Sequence, residues 1–361
     1  MVRLFISVIA FLSAISAYCC TSMIVSGQAS ADGRPLLWKH RDTSASNNFL
    51  YRVEGNPETG KIGYVGLFNG GDSLILEEAW MGMNDAGFAI MNTVAYNLAE
   101  NSPEWRDREG FVMAEALSTC RSVDDFEMLL SKLPKPMGVQ TNFGVLDSYG
   151  NGAYFETDDY KYTRYDLKDE PRGVLVRTNF AMSGEEGTGR GYERYEDVET
   201  LLAHDIETGS ITPALLTETM SRSFYSSRLD CDAELFGDQW LEDQDYVPRK
   251  SSTATIVVEG ILPGESPKEQ VMWANVGYPP CSHVSAVDLE FIPAELGPTS
   301  QEGFYSPQGL ASQEKAKTIF TKPDANGRRF MRMDVLRSIN EEERAISLEN
   351  YAKKRAKQIS K

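Results

Sequence analysis

The 361 residues are 41% hydrophobic and 25% charged, the balance of a soluble globular protein with one large domain or two small ones, not of a collagenous, repetitive or low-complexity chain. A net charge of −17 argues against nucleic acid or an anionic membrane as partner, because both demand a basic surface. Five cysteines, at 19, 20, 120, 231 and 281, are too sparse for a disulfide framework, and no CxxC or His-x-x-x-His spacing points to a metal or other cofactor.

The chain opens with a short positive region at Arg3, a nearly unbroken apolar and small-residue stretch from Leu4 to Ala17, and small side chains at Ala17 and Cys19. That is the pattern of a secretory signal peptide over residues 1–19, removed before Cys20, and it makes the mature protein secreted or periplasmic. The stretch falls short of the roughly 20 residues that span a bilayer, and no later segment is apolar for that long. No transmembrane segment is therefore expected. Once exposed, Cys20 supplies a thiol nucleophile and, as its base, an α-amine with a reference pKa of roughly 7.7–8.0. Such chemistry needs no histidine, and His40, His204 and His283 sit in no Cys/His signature. A reading of another class makes the chain a surface lipoprotein with a non-catalytic binding domain. Acylation would silence the amine, and neither Cys19 nor Cys20 has a lipobox before it.

From Thr21 the chain reads as β-rich runs. Met23-Ile24-Val25 is strand-like, Asp32-Gly33 marks a hairpin turn, and Leu36-Leu37-Trp38-Lys39 returns as a second strand, which brings Asp42 back towards Cys20. A turn at Met83-Asn84-Asp85-Ala86 precedes a strand over 87–92. Apolar residues at helical spacing follow in 111–117 and 123–130, with Ser122 as N-cap of the second. Segments 142–147 and 152–156 flank the turn Ser148-Tyr149-Gly150-Asn151, and 174–177 is a further strand. Helical patterns over 192–203 and 213–220 come before a late strand pair at 253–258 and 270–274. Strands, helices, strands is the order of a layered α+β fold. After residue 305 a charged, lysine-rich stretch reads as an exposed helix packing on the core.

Cys20-Thr21-Ser22, running through Ala29-Ser30-Ala31-Asp32-Gly33 to Arg41-Asp42-Thr43, resembles the opening of the N-terminal nucleophile (Ntn) hydrolases. Within them it is similar to the group of choloylglycine hydrolases, penicillin V acylases and acyl-coenzyme A:6-aminopenicillanic acid acyltransferases, and to the related cysteine dipeptidases. The resemblance implies a four-layer αββα sandwich over 20–305, with 306–361 as a helical C-terminal extension. It also implies a catalytic set. Cys20 is the nucleophile and Asp42 touches its amino group. Lys39 stands where the family has an arginine beside the nucleophile. Asn92 and Asn179, the latter in Thr178-Asn179-Phe180, carry the oxyanion-hole positions, and Arg194, with Arg190 as its alternative, is the arginine after that asparagine. Gly82-Met83-Asn84-Asp85-Ala86-Gly87 resembles the family's turn, and Trp273-Ala274-Asn275-Val276-Gly277-Tyr278-Pro279-Pro280 a late structural segment. The activity implied is cleavage of a linear amide in a small molecule through a thioester, with acyl transfer or dipeptide cleavage as alternatives. Homo-oligomerisation is left open.

Overall fold

The computed structural model describes residues 20–99, 107–233, 239–299 and 303–359. The expected signal peptide lies outside them. Strands β1 (Thr21–Val25) and β2 (Leu36–Asp42) pair antiparallel and begin a first sheet. The chain then builds a second sheet as a seven-strand antiparallel meander: β3 (Asn48–Val53), β4 (Tyr64–Asn69), β5 (Met81–Asn84), β6 (Ala89–Val94), β7 (Thr141–Leu146), β8 (Gly152–Thr157) and β9 (Tyr162–Asp166). Helices α1 (Glu109–Thr119) and α2 (Val123–Lys132) are inserted between β6 and β7. The chain returns to the first sheet with β10 (Val174–Arg177) on the free edge of β1. Helices α3 (Tyr192–Leu201) and α4 (Ala203–Thr208) follow, then the short ribbon of β11 (Tyr225–Ser226) and β12 (Cys231–Asp232) and the strand β13 (Trp240–Glu242). Strands β14 (Ser252–Glu259), β15 (Val271–Val276) and β16 (Ser285–Val287) complete the first sheet in the order β10-β1-β2-β14-β15-β16. Last come α5 (Pro307–Ile319), β17 (Phe330–Arg332), which pairs with β13, and α6 (Met333–Ile359).

Side-chain alternation along the strands separates three apolar layers. Ile24 and Leu37 of the first sheet meet Val65, Met83, Met91 and Tyr154 of the second in a core between the sheets. The opposite face of the second sheet, rich in Phe49, Phe88, Phe143 and Phe155, is covered by α1 and α2 through Leu117, Phe126 and Leu130. The opposite face of the first sheet presents Met23, Trp38 and Trp273 to α3 and α4 through Val198, Leu202 and Ile206, and to Tyr351 of α6. Helix, sheet, sheet, helix is the αββα sandwich that the opening residues implied.

Several local readings hold and two change. Ser122 caps α2, its side chain accepting from Asp125 N while the Asp125 side chain accepts from the Ser122 backbone. The strands over 142–146 and 152–157 pair as expected across their turn. The turn between β1 and β2 is longer than a tight hairpin: residues 26–35 intervene, and Ser30 bridges to Ile211, with Gly33 supplying the positive φ of 80°. Segment 213–220 is not a regular α-helix but a widened π-type turn over Leu215–Thr219. Just beyond it Ser221 Oγ donates to the Leu216 carbonyl at 2.8 Å and meets the hydroxyl of Thr255 on β14 at 2.7 Å.

Candidate active site

Antiparallel pairing of β1 and β2, with Thr21 opposite His40, places Cys20 at the start of β1 beside the end of β2. Its Sγ lies 3.7 Å from the Asp42 carbonyl, to which the thiol donates. Alternation turns Lys39 and Arg41 away from His40 and onto the face that meets the second sheet. Between the sheets they form a cavity of about 240 Å³ whose walls include Cys20, Lys39, Arg41, Asp42, Trp80 and Asn92. Sequence residues 20, 39, 42 and 92 are thus brought together in one place.

Asp42 is immobilised on both carboxylate oxygens. Ser252 Oγ donates to Oδ1 at 2.5 Å, and Arg249 donates to Oδ2 from Nε at 3.1 Å and from Nη2 at 2.6 Å. His40 Nε2 reaches Ser252 Oγ at 2.8 Å. Burial pushes the His40 imidazole down to about 4, so it is neutral near pH 7 and gives its Nε2 proton to Ser252, whose hydroxyl is itself committed to Asp42. No histidine lines the cavity among the described residues.

Arg194 is fully buried and reaches Cys20 through the backbone. Its Nη1 donates to the Cys20 carbonyl at 2.7 Å and to Thr21 Oγ1 at 2.9 Å, and its Nη2 donates to Asn179 Oδ1 at 2.9 Å. Asn179 Nδ2 donates to the Val94 carbonyl at 2.9 Å. Arg194, itself held by Asn179, therefore clamps Cys20 and Thr21, and neither Arg194 nor Asn179 is among the side chains lining the cavity. Arg190 is exposed, its guanidinium 4.7 Å from the Tyr96 ring centre. The Asn92 amide is used at both ends, Oδ1 accepting from Lys39 Nζ at 2.8 Å and Nδ2 donating to Thr141 Oγ1 at 3.2 Å. In the turn before it, Asn84 ties the end of α1 down by donating to the carbonyls of Leu117 and Cys120, both at 2.8 Å.

Two residues that the sequence did not single out complete the arrangement. Arg249 holds Asp42, and Asp245 accepts from both Arg249 and Arg194, the latter at 2.9 Å. Arg249 lies 207 positions from its partner, in a run with no motif spacing, so only the tertiary fold reveals the pair. Burial also sorts the thiols. Cys120 and Cys281 are pushed up to about 12 and stay protonated and inert. All four described cysteines are free. The cavity wall shows the same effect: desolvation brings Lys39 down to about 7 and raises Asp107 and Glu78 above the ordinary carboxylate range.

The chain is similar to several solved structures. A variant of conjugated bile acid hydrolase from Clostridium perfringens is 14% identical, with 75% of this chain and 93% of that chain covered and a TM-score of 0.45. Penicillin V acylase from Agrobacterium tumefaciens is 14% identical over 76% of this chain and 87% of its own, with a TM-score of 0.40. A Caenorhabditis elegans ortholog of N-acylethanolamine-hydrolyzing acid amidase is 13% identical over 68% and 94%, with a TM-score of 0.39. No protein-family model and no curated protein sequence matches the chain. Among the described residues no helix is long and apolar enough to cross a membrane, and no cluster of His, Cys, Asp or Glu could hold a metal ion.

Proposed function

We propose that this protein is an N-terminal-cysteine amidohydrolase that cleaves a linear amide of a small molecule through a thioester. One observation carries the reading: Cys20 opens the first strand beside an immobilised Asp42, in a cavity with no histidine among its described walls. Removal of the leader frees the Cys20 amine, which Asp42 orients and which accepts the thiol proton. Sulfur attacks the carbonyl, and the oxyanion is received by a backbone N–H near Asn92, while Asn179 holds Arg194 against the Cys20 carbonyl. The C–N bond breaks, the leaving amine takes the proton, and water then hydrolyses the thioester. A leader followed by a nucleophile at its cleavage point supports an extracytoplasmic setting for this chemistry.

The walls of the cavity favour one of the alternatives. Lys39, Arg41, Glu78 and Asp107 line it with polar, ionisable side chains, which suits a substrate with a free amine or carboxylate, such as a dipeptide, better than a wholly apolar acyl chain. The test is turnover by mature wild type and Cys20→Ala of a panel holding dipeptides, N-acyl amino acids and apolar N-acyl amides. Wild type should cleave members of at least one class and the alanine variant none. Equal turnover by the two proteins would move the active site elsewhere, and cleavage of the apolar amides alone would remove the dipeptidase alternative.

A further inference from the structure

Lys39 sits where a buried ammonium would need a counter-charge. Its Nζ donates to the Trp80 carbonyl at 2.7 Å and to Asn92 Oδ1 at 2.8 Å. Two neutral acceptors take both N–H groups of an uncharged amine and leave its lone pair, or the third proton of the ammonium, for the cavity that also holds Cys20. On β2, Arg41 donates to Asn69 at 2.8 Å and to Asn48, while Asp42 is committed to Arg249 and Ser252. Asn92 on β6 is neutral. Glu78, before β5, and Asp107, before α1, are biased by burial towards their protonated forms. Among the described residues no carboxylate comes within ion-pair distance of Lys39, and the ionisable group that shares its cavity from the first strand is the Cys20 thiol.

We propose that Lys39 and Cys20 share a proton, Lys39 taking it from the thiol to leave a thiolate–ammonium pair, so that Lys39 is a second proton acceptor of the site beside the α-amine. The proposal rests on Cys20 being the nucleophile and goes beyond the role given above to its amine. The step balances: the S–H bond breaks as an Nζ–H bond forms, sulfur attacks the carbonyl, and Nζ returns its proton to the leaving nitrogen as the C–N bond breaks. Water attacking the thioester repeats the exchange. An arginine keeps its proton throughout and can only lend charge, which makes the lysine a functional difference and not an equivalent cation.

Iodoacetamide alkylation of Cys20, followed by peptide mass spectrometry across pH, reads the thiolate directly. In the full-length chain the Cys20 nitrogen is an amide, which isolates Lys39 as the base. Wild type should alkylate at pH 7 at least about tenfold faster than Lys39→Met, whose profile should move to higher pH. Lys39→Gln, which keeps a donor for Trp80 and Asn92, should behave as the methionine variant does and covers the case in which that variant does not fold. Lys39→Arg should keep fast alkylation, yet in the mature protein lose about 10²-fold or more in turnover, because it cannot pass a proton. Identical alkylation profiles for wild type and the folded neutral variants would overturn the pair, and full turnover by Lys39→Arg would overturn the proton transfer. Failure of the amidohydrolase reading looks different: mature wild type turns over no amide while the alkylation shift persists.

Discussion

Asp42 and Arg249 are the residues on which the site's geometry turns, and their burial makes the pair costly to break. Asp42 is 1% exposed and Arg249 8%, so removing Arg249 leaves an uncompensated buried charge. Arg249→Ala should lose about 3–5 kcal/mol of stability, measured by urea denaturation, whereas Cys20→Ala should be close to wild type because, among the described residues, the thiol makes just the long bond to the Asp42 carbonyl. An Arg249→Ala protein as stable as wild type would show that Asp42 finds another partner. His40 gives a pH-dependent counterpart. Burial lowers its folded pKa from 6.5 to about 4, so the unfolded chain binds the proton first. Its contribution to stability is present above pH 6.5 and is lost as pH falls through about 4. The difference in stability between wild type and His40→Gln should shrink across that window and stay constant above it; a difference that does not vary from pH 7 to pH 4 would contradict a neutral buried imidazole.

At the scale of elements, what could be read from the sequence is what local physics controls. Leu36-Leu37-Trp38-Lys39 after the turn at Asp32-Gly33 reads as a returning strand, and Ser122 ahead of an apolar helical pattern marks the start of α2. The Ser122–Asp125 box satisfies backbone donors at both positions, and Ser122→Ala should cost about 1 kcal/mol, read as a lower thermal midpoint with unchanged Cys20 alkylation. No change in midpoint would mean that tertiary packing alone holds that helix end. What escaped was decided by distant partners. The loop over 26–35 is shaped by its bridge to Ile211, and the π-type turn stands beside Ser221, whose hydroxyl bonds to Thr255 thirty-four positions away. The Asp42–Arg249 and Arg194–Asp245 pairs likewise join residues with no common motif. Cys20, Lys39, Asp42 and Asn92 could be named because the opening residues and the Gly82–Gly87 turn resemble a known family's, and the structure brings them to one cavity; Arg249 and Asp245 could not, because nothing local requires them.

On the scale of the whole molecule, the two sheets bury their shared face, and the cavity lies at the end where β1 starts and β2 finishes. The C-terminal segment belongs to the same structure. β17 pairs with β13, Tyr351 of α6 stacks on Trp273 of β15 at 4.1 Å between ring centres, and Arg355 pairs with Glu259 of β14 at 2.7 Å. Helix α6 thus covers the face of the sheet opposite the site, and the strand ends at Cys20 and Asp42 are held between two cores. Such a frame can present a free N-terminal cysteine in a fixed place, and the mechanism depends on that cysteine being first and unmodified. Intact-mass measurement with N-terminal sequencing of the mature protein tests this most directly. The mature chain should begin at Cys20 with a free amine and an unmodified thiol; a chain that begins downstream of Cys20, or a Cys20 whose amine is blocked by lipid, would contradict the mechanism.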